Sequence, residues 1–163
     1  MLIIAFFVSG FVLASLIEYW IHRLMHVFPW FGKVTLHYKH HYEESYGVWK
    51  DFKSYSQLVL LLCPMFLISW SAGISGSLGG LVFTAFAAYT HKLQHENPTK
   101  CFWMRVPVHY LHHKYSCQYN FGLSVDWWDR VFKTYRPNQW FIHQELNQTL
   151  YNDLQELAQV TTK

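Results

Sequence analysis

The sequence predicts an all-α protein, an integral-membrane helical bundle topped by a cytoplasmic helical cap, and three observations predict it. The chain of 163 residues is 52% hydrophobic and 20% aromatic but only 14% charged, against about 25% charged in ordinary domains; lipid must cover part of such a fold. Two long stretches, Leu2–Ile17 and Leu58–Tyr89, contain no charge. All thirteen Lys and Arg lie in Arg23–Lys53 or Lys92–Lys163. The length allows a single domain over residues 1–163.

The first apolar stretch is interrupted only by Ser9, Gly10 and Ser15, and it resumes beyond Glu18 through Tyr19-Trp20-Ile21. No basic residue precedes it and no small-residue cleavage site follows, so it reads as a retained span over about 2–21 rather than a cleaved leader. The second stretch is too long for one span. Gly73, Gly76, Gly79 and Gly80 fall near its middle and predict a hairpin of two helices, about 55–72 and 77–91, with Pro64 as a kink point. Each is near the lower end of the roughly 17–25 residues that cross a bilayer, so a shallow or re-entrant hairpin is the alternative. The bias of basic residues toward the cytoplasm puts the N-terminus outside and both basic segments inside. Every histidine then lies on one side of the membrane. Trp30, Trp49, Trp103, Trp127, Trp128 and Trp140 suit the headgroup zone. Leu146, Leu150, Leu154 and Leu157 recur at helical spacing and predict an amphipathic packing helix over about 144–160.

Several classes are disfavoured. A net charge of +3 without a basic run gives no reason to expect nucleic acid. Cys63, Cys101 and Cys117 are odd in number and scattered, so neither a disulfide framework nor a thiolate metal site is expected, and a reducing compartment fits.

The eleven histidines outnumber Asp and Glu together, and ten of them fall into four clusters. His22 and His26 form H-x-x-x-H; His37, His40 and His41 form H-x-x-H-H; His91 and His95 repeat the first pattern; His109, His112 and His113 repeat the second. Residues three or four apart on a helix share a face about 5–6 Å apart, so each pair can offer two imidazoles to one metal and each triplet can add more. An isolated H-x-x-x-H at an interface is a weak signal, but four clusters in alternating order have no evident structural use, and ionisable groups near a bilayer are costly unless they serve a purpose. Ten ligands exceed the capacity of one ion and imply two. Imidazole suits zinc, copper, iron and nickel alike. A closed structural zinc site usually includes cysteine, the zinc-protease H-E-x-x-H is absent, and a di-haem bundle does not explain adjacent pairs such as His40-His41. Two irons with positions left open for dioxygen fit best.

These clusters, together with His109-Tyr-Leu-His-His-Lys-Tyr115, Asn120-Phe-Gly-Leu123 and Trp128-Asp-Arg-Val-Phe-Lys-Thr-Tyr135, resemble the fatty acid hydroxylase / sterol desaturase superfamily of membrane di-iron enzymes, over about Glu18 to Arg136. The resemblance implies dioxygen activation at two non-haem irons and attack on an unactivated C–H bond, giving an alcohol or a double bond. It carries the metal-ligand role onto His22, His26, His37, His40, His41, His91, His95, His109, His112 and His113. It also implies a lipid substrate entering from the bilayer and, since no haem-binding donor domain is fused here, a separate ferredoxin- or cytochrome-type electron carrier. With three expected spans where many members have four, a homo-oligomer could complete the bundle. Hydroxylation of a fatty acyl chain stands ahead of carotenoid-ring hydroxylation or sterol-type desaturation. A membrane metal-binding or transport protein is the reading from another class, weakened by the few polar groups in Leu58–Tyr89. Asn120, Asp126 and Asp129 are candidates either for orienting the ligands or for turns and caps; Glu18, one turn before His22, is equally a candidate ligand orienter or a solvated carboxylate.

Overall fold

The computed structural model describes residues 1–43 and 46–161, without the side chains of His143 and of residues 153–161. Among the described residues every regular element is helical. Helix α1 covers Leu2–Val27, and three short helices follow: α2 (Pro29–Val34), α3 (His37–Glu43) and α4 (Val48–Ser56). A 3₁₀ segment, Gln57–Leu67, leads to the long α5 (Trp70–Glu96), and the chain ends in α6 (Val108–Lys114), α7 (Trp127–Val131) and α8 (Asn138–Thr161).

Helices α1 and α5 are long and apolar enough to cross a membrane. At about 1.5 Å per residue each exceeds the roughly 30 Å of a bilayer's hydrocarbon. The inner faces change character along their length. Toward the start of α1 and the middle of α5, small residues allow backbone contact: a Cβ on Gly10 would strike the carbonyl of Gly76, and one on Gly79 the carbonyl of Phe7. Farther along, the inner face is polar, with Ser15, Glu18, Tyr19 and His22 buried on α1 and Thr90, His91 and Gln94 on α5.

The expected hairpin is corrected here. The turn falls at Ile68–Ser69 and not among the glycines, so the helix expected over 77–91 begins at Trp70. Ser69 Oγ accepts from the Ala72 amide at 3.0 Å, a side-chain cap that starts α5 at this point. Gly73, Gly76, Gly79 and Gly80 are all buried within the helix, where Phe66, Met65, Phe7 and Leu62 press against them. Glycine's conformational cost in a helix, about 1 kcal/mol, is offset by this close packing. The segment expected as a span over 55–72 is instead an eleven-residue 3₁₀ stretch containing Pro64, which at about 2.0 Å per residue reaches only about 22 Å. It packs Leu62 and Met65 against Ala14, Phe83 and Ala87.

A second apolar cluster lies under α6, where Val108 and Leu111 meet Val106, Met104, Cys101 and Trp140. Trp140 is therefore a core residue and not a headgroup anchor. Trp103 and Trp128 are half-buried, donating to Ser124 O and Ser15 Oγ, both at 2.9 Å, while Trp30, Trp49 and Trp127 are exposed. Helix α8 contains the expected C-terminal helix, but Leu146 and Leu150 are exposed rather than packed; the side chains of Leu154 and Leu157 lie outside the described residues. All three cysteines are free thiols.

Candidate metal centre

The polar end of the α1–α5 pair is closed by two short helices that carry the histidine triplets. Helix α3 follows a sharp reversal at Leu36, whose φ of 58° puts a side-chain-bearing residue in the left-handed region at a cost of about 1–2 kcal/mol. That reversal turns His37, His40 and His41 back over the end of α1. Helix α6 is set by Gln94 of α5, a fully buried amide. Gln94 Oε1 accepts from the His109 and Tyr110 amides at 2.9 and 3.4 Å, and its Nε2 donates to Leu123 O. One side chain thus satisfies amides in the first turn of α6 that have no partner inside the helix, and ties that turn to the following loop.

The result is two neighbouring groups of imidazoles. His22, His26, His37, His41 and His112 present ligand nitrogens within 4.8 Å of one another, and so do His40, His95, His109 and His113. His91 joins the second group, with its Nε2 3.0 Å from His40 Nε2 and its ring 4.9 Å from His95 and 4.7 Å from His109. All ten histidines singled out by spacing are therefore brought together. The assignment explains the doubled histidines. Adjacent helical residues point about 100° apart, so His40 and His41 serve different groups, and so do His112 and His113. Each half of the chain supplies four imidazoles to one group and lends one to the other, His112 in one direction and His40 in the other. The groups adjoin where His41 and His113 stack at 4.0 Å.

Three of the rings have their tautomer fixed by an acceptor on the outer nitrogen. His22 Nδ1 donates to Phe121 O at 2.5 Å, His112 Nδ1 to Tyr119 O at 2.8 Å, and His91 Nδ1 to an Asp51 carboxylate oxygen at 2.8 Å. A neutral imidazole carries one N–H, so in each the inner Nε2 is a bare lone pair. His112 Nε2 faces His26 Nε2 at 2.9 Å, and His26 Nε2 faces His37 Nε2 at 2.7 Å. The Nε2 atoms of His22, His95, His109 and His113 are buried with no hydrogen-bond partner, a cost of about 1–3 kcal/mol each. A single N–H on His26 Nε2 can serve only one of its two contacts, and buried lone pairs without a partner are costly; a cation shared among the nitrogens removes both penalties. Nitrogens bound to one metal at about 2.0–2.1 Å and at right angles stand about 3 Å apart, the separation seen here. The residues fit a pair of metal ions.

Burial favours the neutral form that ligation requires in the rings of His37, His41, His109, His112 and His113. Burial, reinforced by neighbouring imidazoles, pushes His109 and His112 well below the ordinary histidine value, and His37 and His113 move the same way. Burial and the nearby His26, His40 and His91 hold His41 down at about 4. A depressed value means the folded state binds fewer protons than the unfolded chain between about 6.5 and 4, so stability is full above about pH 6.5 and falls as pH drops through that window. Thermal unfolding of the metal-free protein in detergent is expected to show this decline from about pH 6.5 toward 4; a flat profile would contradict it.

Asp51 was not legible in the sequence. It sits in Lys50-Asp-Phe-Lys53 with no motif to single it out, and only the fold lays α4 beside α5. Burial alone would raise its carboxyl, but the hydrogen bonds it accepts from His91 Nδ1 at 2.8 Å and from the Gly47 amide at 3.0 Å hold it below the usual carboxylate range. Among the acids the sequence did raise, Asp129 is fully buried and accepts from the Phe121 and Gly122 amides, both at 2.8 Å, and from Thr134 Oγ1 at 2.7 Å. It thereby holds the peptide whose carbonyl receives His22. A Cβ at Gly122 would strike the Val125 carbonyl, so only glycine fits this turn. Asn120, with φ of 61°, pairs both ways with the Arg136 backbone, and Asp126 forms an ion pair with Arg130 at 2.7 Å; these two shape the loop. Glu18 is buried and not solvated, with Oε2 3.4 Å from the Leu123 amide.

A cavity of about 410 Å³ runs from Ile21, Met25 and Leu58 to His22, His40 and His109, touching both groups. It falls within the range of small-molecule sites, about 300–1,000 Å³.

Fold and site together define a class: an all-helical protein with two membrane-length helices whose polar ends, capped by short helices, gather two histidine groups able to hold metal. The fatty acid hydroxylase family model matches residues 7–134, most of the chain and all ten histidines, and the chain belongs to that family. The comparisons with curated proteins and with solved structures give no match.

Proposed function

We propose that this chain is an integral-membrane oxidoreductase that uses dioxygen at two iron ions to hydroxylate, or desaturate, a lipid acyl chain. The observation that carries this reading is the convergence of buried, bare imidazole nitrogens in two adjoining groups at the end of a mainly apolar cavity. One ion would be held by His22, His26, His37, His41 and His112, the other by His40, His91, His95, His109 and His113. Iron bound there supplies the activation of dioxygen and the removal of hydrogen from an unactivated C–H bond.

The chain's own residues do the rest. Ten neutral donors add no negative charge, so the centre stays cationic and oxidising. Phe121 O, Tyr119 O and Asp51 orient three of the rings through their outer nitrogens. Ile21, Met25, Leu58 and Leu123 give the cavity an apolar wall along which an acyl chain can lie beside both groups, while Lys39, Glu43 and Lys50 line it as well and suit a polar head. The basic segments flanking α1 and α5 favour the cytoplasmic side for the histidines, where a separate electron carrier can dock.

The test is chemical. Purified protein is expected to hold two irons per chain, and lipid extracts from cells with and without the gene are expected to differ in species separated by one oxygen or two hydrogens. Fewer than two metals would defeat the paired centre; unchanged lipids together with no turnover of acyl lipids by purified, iron-loaded protein would defeat the substrate.

A further inference from the structure

The two histidine groups are not anchored alike. In the group of His22 and His112 the outer nitrogens donate to neutral backbone carbonyls, Phe121 O and Tyr119 O. The negative charge of Asp129 reaches His22 only through a peptide: Gly122 N–H donates to Asp129, and the carbonyl of that same peptide, Phe121 O, receives His22. In the other group, His91 Nδ1 donates directly to the Asp51 carboxylate at 2.8 Å in a nearly closed environment. Among the described residues this is the histidine that pairs with a carboxylate. A second contact to Asp51, from the Gly47 amide at 3.0 Å, fixes its position at the start of α4, and the Tyr55 hydroxyl lies 3.2 Å from the same imidazole nitrogen.

The physical difference is large. An imidazole whose N–H is held by a carboxylate takes on imidazolate character, which makes its other nitrogen a better donor and fixes the ring in the ligating tautomer. A carbonyl fixes the tautomer but polarises the ring much less. We propose that the two metal sites are inequivalent by construction, and that Asp51 is a positioning residue which makes the site of His40, His91, His95, His109 and His113 the tighter and first-filled of the two. This rests on the reading of the ten histidines as ligands of two ions.

The experiment titrates Zn²⁺ alone, without iron, dioxygen or lipid, into the metal-free full-length protein in detergent and reads stepwise affinities calorimetrically. Wild-type protein is expected to bind two ions in separable steps, with His40→Ala abolishing the tighter step and His26→Ala the weaker. Asp51→Asn preserves the shape and an acceptor for Gly47 but removes the charge, and is expected to weaken the tighter step about 10–100-fold while moving the other less than about threefold. Asp51→Glu is expected to recover part of the loss, which a merely structural role would not give. Thermal unfolding of the metal-free variants separates misfolding from lost affinity. Equal weakening of both steps by Asp51→Asn, no weakening of either, or loss of the tighter step in His26→Ala instead of His40→Ala would overturn the inference while leaving two ions per chain intact. Binding of fewer than two ions by the wild-type chain would instead overturn the two-metal reading beneath it.

Discussion

His112→Ala is expected to abolish turnover, by more than about 100-fold, and to release one metal per chain, while the protein remains in the membrane fraction. His112 is fully buried and its two nitrogens divide the work: Nδ1 is held by Tyr119 O at 2.8 Å, and Nε2 meets His26 Nε2 at 2.9 Å. Changes to groups that merely orient a ligand cost about 10–100-fold, so loss of a ligand should exceed that. The α1–α5 contact and the apolar cluster of Ala14, Leu62, Phe83 and Ala87 do not involve His112, so membrane insertion should survive. Metal analysis and product formation on the same preparation decide the matter. Two metals and full turnover in the variant would remove His112 from the centre.

Asp129→Ala is expected to be the most damaging single change away from the histidines. It strands two donors at once, the Phe121 and Gly122 amides, in a site closed to water, and leaves the Thr134 hydroxyl with Tyr19 Oη at 2.9 Å as its remaining partner. Each orphaned buried group costs about 1–3 kcal/mol, so a loss of about 3–5 kcal/mol is expected, a large fraction of a typical domain's stability. The damage should reach the centre, because the freed Phe121 carbonyl no longer fixes the tautomer of His22. Thermal unfolding in detergent, with and without Zn²⁺, measures both effects: a lower Tm and a smaller stabilisation by metal. A Tm within a few degrees of wild type would show that the Asp129 contacts are not holding the loop.

The same loop shows where sequence reasoning stopped. Asn120, Asp126 and Asp129 were alike in the sequence, each a polar residue near the histidines that could orient a ligand or make a turn. Their roles separate only when the chain reverses at Asn120 and Lys133, both at positive φ, and brings Asp129 back onto Phe121 and Gly122. Hydrogen bonds seven and eight residues apart in an irregular loop leave no periodic trace. The glycines of α5 were misread for a related reason. Gly73, Gly76, Gly79 and Gly80 carry the composition of a turn, and what makes them helical is the approach of Phe7, Met65 and Phe66, which lies outside any local window. Gln94 and Asp51 had no signal at all, since each acts across elements that are distant in the chain.

What the sequence by itself determined is therefore the local and the repeated: the apolar character of the segments that become α1 and α5, the polar ends from which His22, His26, His91 and His95 project, and the alternating pairs and triplets that identify ten histidines as one set. Spacing fixes which residues share a helix face, because helical geometry is the same everywhere. Tertiary structure alone decided that His40 leaves its neighbour His41 for the opposite group, that His112 and His113 part in the same way, and that a carboxylate stands behind His91. Those outcomes depend on the angles at which α3 and α6 lie over α1 and α5. These angles are set by Leu36, by Gln94 and by the Asp129 loop, through contacts that form only when the whole chain has folded.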